Sequence, residues 1–178
     1  MSAFSREPGG EIYVAVYGSP DGQQRFADTL ALANWYYNHL ATVPLANTPT
    51  TSNGAPILAK AACTDWTDKT MGVTLENPEQ TASIFSLAGP LEQRVDLEAL
   101  TGTIAKGEAV GSITYLQEGT VVAEAPLIAT TSLTAPNPLE WIMVQFDRAV
   151  RFFQGDSSTA ETRTLNEAPD PRAYDSWQ

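Results

Sequence analysis

The sequence predicts an α+β protein: a short strand–helix unit, then a small all-β sandwich domain, then a C-terminal amphipathic helix. Three observations predict it. Apolar residues recur at helical spacing in two separate places, 23–41 and 138–154. Between them lie short candidate strands, separated by turn signals at short intervals. The helical pattern stops where those strands begin and resumes where they end. The expected organisation is 1–42 for the strand and helix, 43–134 for the β-rich domain, 135–155 for the amphipathic helix and 156–178 for a polar tail.

The first element is "EIYVAVYG" (11–18). Ile12, Val14 and Val16 face one side, and Tyr13, Ala15 and Tyr17 the other. Both faces are apolar, which suits an interior strand covered on both sides. "SPDG" (19–22) is a turn signal. A helix follows, from about Gln23 to Ala41, with Asp21 or Gly22 near its start. Phe26, Leu30, Ala33, Tyr37 and Leu40 form its apolar stripe, and Leu32 and Trp35 lie off it. His39, in the last turn, would favour the helix dipole if charged.

"PLANTPTTSNGAP" (44–56) reads as a loop-rich entry to the β-domain. Strands are expected at Ile57–Ala62, Met71–Leu75, Thr81–Leu87, Gln93–Leu97, Ala109–Gln117 and Thr120–Thr130. The last two flank Glu118-Gly119, which reads as a tight hairpin turn in which Gly119 takes a positive φ. Gly107 and Gly111 sit at the start of the first of these strands. There the backbone must turn or let another strand come close.

The segment 138–154 carries its own boundaries. Asn137 is an N-cap residue, Pro138 fits the first helical position, Glu140 completes a capping box and Gly155 ends the helix. Leu139, Ile142, Met143, Phe146, Ala149, Val150 and Phe153 share one face. Glu140, Asp147, Arg148, Arg151 and Gln154 lie largely on the other, with Trp141 and Phe152 at the edge. The segment is about 25 Å long and carries four charges, so it does not span a membrane. The tail from Asp156 is polar and acidic and is expected to be disordered or loosely attached, although Tyr174 and Trp177 could dock locally.

Composition excludes several functions. The 178 residues carry a net charge of −11 with only ten Lys and Arg, scattered along the chain, which argues against nucleic acid. One Cys, Cys63, rules out an internal disulfide, and one His leaves no zinc site of the usual ligand types. A Ser-His-Asp triad would have to use His39, and nothing nearby in sequence suggests it. No metal or cofactor is expected. Residues 1–10 have no apolar signal region, and no run of about 18 apolar residues occurs.

The order and wording of these pieces resemble one family. "EIYVAVYGSP" is similar to the last strand of the catalytic sheet of serine-type D-alanyl-D-alanine carboxypeptidases, the low-molecular-weight penicillin-binding proteins. "RFADTLALANWYY" (25–37) is similar to the helix after it. The stretch from Lys106 to Leu127 resembles the closing hairpin of their accessory β-domain, through Lys106, Gly107, Val110, Gly111, Pro126 and Leu127. The resemblance covers roughly residues 5 to 155. It implies a remnant strand–helix of a transpeptidase-like catalytic domain at 1–42, and a family activity that trims the terminal D-Ala from peptidoglycan stem peptides through an acyl-serine.

The catalytic motifs of that family are missing from this sequence. The family uses S-x-x-K, a second Ser motif and K-T-G. The positions three before Lys60, Lys69 and Lys106 are Ile57, Trp66 and Thr103, and no S-x-N occurs. "DKTMG" (68–72) interrupts K-T-G with Met71, and it lies in the β-domain. No catalytic residue is therefore assigned, and the chain reads as a truncation that starts after the family's K-T-G. It is expected neither to hydrolyse the peptide nor to bind penicillin covalently.

Several expectations follow from the resemblance. Strand 11–18 and helix 23–41 should expose an apolar patch, with dimerisation or strand pairing. The β-domain should act as a pedestal or interaction module. Helix 138–154 either lies on the outer surface of the cytoplasmic membrane, as the family's terminal helix does, or docks its apolar face on the β-domain. The location should be extracytoplasmic and envelope-associated, with the export signal not in this chain. Two rivals remain. One is a stand-alone extracellular β-sandwich binding module. The other is an unrelated carbohydrate-binding sandwich, for which Tyr115, Trp66 and Trp141 are too few and too scattered.

Overall fold

A computed structural model describes residues 1–7 and 9–175, so Trp177 lies outside the described residues. The chain opens with a hairpin of β1 (Ser2–Arg6) and β2 (Gly10–Val14), paired antiparallel from Ser2↔Val14 to Arg6↔Gly10. The sequence predicts a single strand at 11–18 and does not signal β1, because "SAFSR" lacks an apolar pattern of its own and is a strand only through its partner. Nor is the strand covered on both sides. Ile12 and Val14 are half-buried towards the following helix, whereas Tyr13 is exposed.

Helix α1 (Gly22–Asn38) starts at Asp21, whose carboxylate accepts a hydrogen bond from the Gln24 amide at 2.8 Å. Its buried side is Thr29, Ala33 and Tyr37; Phe26 and Leu30, expected on the inner stripe, are exposed. The reason is the cover available. The β1–β2 hairpin reaches the C-terminal half of the helix, where the Tyr37 hydroxyl lies 2.9 Å from the carbonyls of both Phe4 and Gly10. Gly9 makes this approach possible, since a Cβ there would stand 2.3 Å from Leu40 Cδ1.

The helix stops at Asn38 rather than at Ala41. His39 caps it, and the chain turns directly into β3 (Leu40–Pro44). That strand pairs with β8 (Thr81–Phe85) from Leu40↔Phe85 to Pro44↔Thr81. Helical spacing in the sequence continues through Leu40, but a partner about forty residues downstream takes these residues into a sheet instead. The segment read as loop also contains a small hairpin, β4 (Thr51–Ser52) with β5 (Ala55–Pro56), turned by Asn53-Gly54 with both φ values positive.

The remaining strands are β6 (Ala59–Ala62), β7 (Thr70–Leu75), β9 (Leu91–Leu97), β10 (Ala109–Gln117), β11 (Thr120–Ala129) and β12 (Arg163–Thr164). They form one antiparallel sheet in the order β12-β6-β7-β11-β10-β9. The β3–β8 pair closes over it, with Val43, Leu45 and Ile84 meeting Val73, Ile113 and Leu127 in one apolar core. Among the described residues the architecture is mostly β with two α-helices, an α+β fold built on a two-layer β-domain. An aromatic cluster joins α1 to this domain: Phe85 stacks on Tyr36 at 5.2 Å and meets Trp35 edge-on at 5.7 Å.

The tail is not loose. β12 pairs with β6 through Arg163↔Lys60 and Thr164↔Ala59, and beyond it Asn166 and Pro169 are buried. A short 3-10 helix, Pro171–Tyr174, follows with Asp170 as its cap. Polar composition misled the sequence reading here. Asn166 is buried because its whole amide is hydrogen-bonded, and composition does not reveal that.

Candidate functional site

Helix α2 (Pro138–Gln154) is bounded by local chemistry alone. Asn137 Oδ1 accepts from the amides of Leu139 and Glu140, both at 3.0 Å, and Glu140 Oε2 accepts from the Asn137 amide at 2.8 Å. Gly155, at φ 78°, ends the helix, and the Asp156 amide returns to the Arg151 carbonyl at 2.9 Å.

The helix sits on the β-domain by its polar side. Val144 is its one buried residue. One turn on, the Arg148 guanidinium donates to the Thr64 carbonyl. Hydrogen bonds from Thr67 and Arg151 hold the Asp147 carboxyl below the usual carboxylate range, and Arg151 Nε stands 2.9 Å from it. A groove of about 430 Å³ runs along this contact between Trp66, Thr67, Met143 and Val144. Lys69 lies over the Trp66 ring at 3.0 Å. Thr64, Thr67 and Val144 were not singled out from the sequence, and Arg148 was placed on the polar side without a partner on the β-domain. Val144 and Arg148, four apart on the polar flank, were the available signal.

The opposite face points away from the protein. Leu139, Ile142, Met143, Phe146, Val150 and Phe153 are brought together there, and their exposure runs from 37% at Val150 to 87% at Phe153. Trp141 and Phe152 flank them, also exposed. So the apolar stripe does not dock on the β-domain; Val144 and Arg148 make that contact instead. The flanking chain is tied to the β-domain on either side of the helix as well. Before it, Leu133 and Ile104 form a bridge with N···O distances of 2.8 and 2.9 Å. After it, Thr162 Oγ1 accepts from the Ala62 amide at 3.1 Å.

The second group of singled-out residues gathers at one end of the β10–β11 hairpin. Gly111 pairs with Leu127, and Pro126 with Ser112 next to it. Val110 and Leu127 are buried. Gly107, at φ 85°, donates to the Ala129 carbonyl at 2.8 Å, and Lys106 donates its amide to Ser132 Oγ at 3.0 Å. Gly111 allows β9 to approach, since a Cβ there would lie 2.2 Å from the Asp96 carbonyl oxygen. Glu118 and Gly119 both take positive φ, the geometry of a type I′ turn. These residues shape the hairpin rather than a reaction centre.

The cluster of Ser86, His39 and Asp175 is not ordered as a catalytic triad. Ser86 Oγ donates to Asp175 Oδ2 at 2.7 Å, and His39 Nδ1 stands 3.1 Å from the same oxygen. The carboxylate therefore lies between hydroxyl and imidazole, whereas a triad needs the imidazole between the other two. Burial pushes the Cys63 thiol up, away from thiolate chemistry. No three His, Cys, Asp or Glu side chains among the described residues come together to hold a metal ion, and none of the described helices is long and apolar enough to cross a membrane.

No family model matches the chain, and no curated protein matches it. Solved structures similar to it include a penicillin-binding protein and a D-alanyl-D-alanine carboxypeptidase. Penicillin-binding protein 5 from Haemophilus influenzae shares 14% identity at a TM-score of 0.41, over 74% of this chain and 37% of that one. The D-alanyl-D-alanine carboxypeptidase DacD from Francisella tularensis shares 16% identity at a TM-score of 0.41, over 66% of this chain and 29% of that one. The chain spans well under half the length of either.

Proposed function

We propose that this chain is the non-catalytic C-terminal portion of a bacterial D-Ala-D-Ala carboxypeptidase of the cell envelope. Its β-domain is a pedestal, and helix α2 attaches that pedestal to a membrane surface outside the cytoplasm. The observation that carries the attachment is the orientation of α2: it is fixed to the β-domain by Val144 and Arg148, with Leu139, Ile142, Met143, Phe146 and Phe153 turned to solvent. An amphipathic helix with an unpartnered apolar face and flanking aromatics suits an interfacial position. The family reading rests on the sequence resemblance at 11–18, 25–37 and 106–127, and the non-catalytic reading on the lack of S-x-x-K, S-x-N and K-T-G in these residues. The β1–β2 hairpin and α1 then correspond to the edge of a catalytic domain. Their exposed Tyr13, Tyr17, Phe26, Leu32 and Trp35 form the surface for self-association or strand pairing.

Labelling with a fluorescent penicillin tests the assignment, using this chain beside one extended upstream from the same genome. Labelling of the extended chain alone is the expected result. If this chain labels, the account of the missing nucleophile is wrong. If neither labels, the stand-alone binding module takes its place.

A further inference from the structure

The geometry points to a specific partner for the outward face of α2: an electrically neutral, zwitterionic lipid surface, entered by apolar insertion and disfavoured when the lipid is anionic. This rests on the membrane reading above and names its partner. The usual interfacial helix adds Lys and Arg on its polar face, so that anionic headgroups assist binding. Helix α2 has two cations, and neither head is presented to a headgroup layer. Arg148 is turned inward onto the Thr64 carbonyl, and Arg151 is paired with Asp147 at 2.9 Å. Carboxylates stand around them: Glu140 in the capping box, Asp68 across the groove and Asp156 just beyond the helix. The whole chain carries −11.

The clamping of α2 sharpens the consequence. Because the helix rests on the loop around Thr64 and Thr67 through Val144, Asp147 and Arg148, the acidic domain lies close to any bilayer that the apolar face enters. What drives insertion is the apolar face, with the exposed Phe146, Phe153 and Ile142 on it, Trp141 and Phe152 at one border and Met143 at the other, beside the groove. The charge of the protein opposes an anionic surface within about one Debye length, ~10 Å at 0.1 M salt. A second copy of this chain is the rival occupant of the face, and the sedimentation arm of the test separates the two.

The test is co-flotation of the full chain with phosphatidylcholine vesicles, and with the same vesicles containing about one-third phosphatidylglycerol, at low and high salt. The expected result is binding to the neutral vesicles, weaker by about threefold or more on the anionic ones at low salt, with the gap closing as salt screens it. Asp156→Asn, just beyond the helix, should narrow the gap without altering binding to neutral vesicles. Stronger binding to the anionic vesicles would overturn this inference and leave the membrane reading standing. Binding to neither, with sedimentation showing a dimer that Phe146→Glu dissolves, would overturn both and give the face to a second copy.

Discussion

The side-chain amide of Asn166 donates to the Tyr115 hydroxyl at 2.7 Å, across 51 residues of sequence and inside the core. The same amide nitrogen lies 3.0 Å from Gln93 Oε1 and 3.2 Å from the Leu45 carbonyl, while its oxygen accepts from the Asn47 amide at 2.7 Å. The Asn166 backbone amide donates to Leu58 at 2.9 Å. One residue of the tail thus ties β10, β9, the end of β3 and the start of β6 together.

Asn166→Ala should therefore destabilise the protein by about 3 kcal/mol, since it strands buried groups that cost roughly 1–3 kcal/mol each. Urea unfolding measures this. A loss under about 0.5 kcal/mol would mean that the tail rests on the domain without stapling it.

Burial pushes the Tyr115 hydroxyl up to about 12, and the Asn166 hydrogen bond offsets only part of that. The folded value lies above the unfolded one, near 10. The contribution is therefore complete below pH 10 and is lost as pH rises from there towards 12. It amounts to on the order of 2 kcal/mol. Unfolding midpoints at pH 8 and at pH 11 should differ by more in the wild type than in Tyr115→Phe; equal slopes would remove Tyr115 from the alkaline transition.

Gly111→Ala should be among the most damaging single changes. The new Cβ would meet the Asp96 carbonyl oxygen at 2.2 Å and Leu97 Cα at 2.9 Å, both backbone. The β9–β10 pairing must open, at a cost of about 3 kcal/mol or more. Gly119→Ala meets no atom within 4 Å and strains only the turn. It should cost about 1 kcal/mol. Thermal melts of the two variants give the comparison.

The two sides of α2 separate stability from attachment. Val144→Glu places a charge at the buried contact and should cost about 1–3 kcal/mol. Phe146→Glu, on the exposed side, should change stability by less than about 0.5 kcal/mol and abolish vesicle binding. Equal destabilisation by both would show that the apolar face is covered in solution.

Self-association through the other apolar surface is expected to depend on concentration. Tyr13→Lys combined with Leu32→Lys should shift sedimentation towards the monomer while leaving the melt of the β-domain in place. No shift would place any self-contact elsewhere.

Local chemistry was legible in the sequence. The ends of α2 depend on Asn137, Pro138, Glu140 and Gly155, all within a turn of the helix they bound. The β10–β11 hairpin depends on Glu118-Gly119, which takes a two-residue turn whatever surrounds it. The site was legible in part. The apolar residues of α2 could be grouped by angle, but the groups that seat it on the β-domain, Thr64 and Thr67, lie some eighty residues upstream.

What depends on distant partners was settled only in three dimensions. "SAFSR" becomes a strand because Gly10–Val14 folds back on it, and Leu40–Pro44 leaves the helical pattern because Thr81–Phe85 supplies its hydrogen bonds. The polar tail is buried because Asn166 meets Tyr115, Gln93, Leu45 and Asn47 at once. Helical periodicity determined that α2 has an apolar face. Which way that face points was decided by the seat that Val144 and Arg148 find on the β-domain, because amphipathicity describes a helix alone and orientation is a property of the contact.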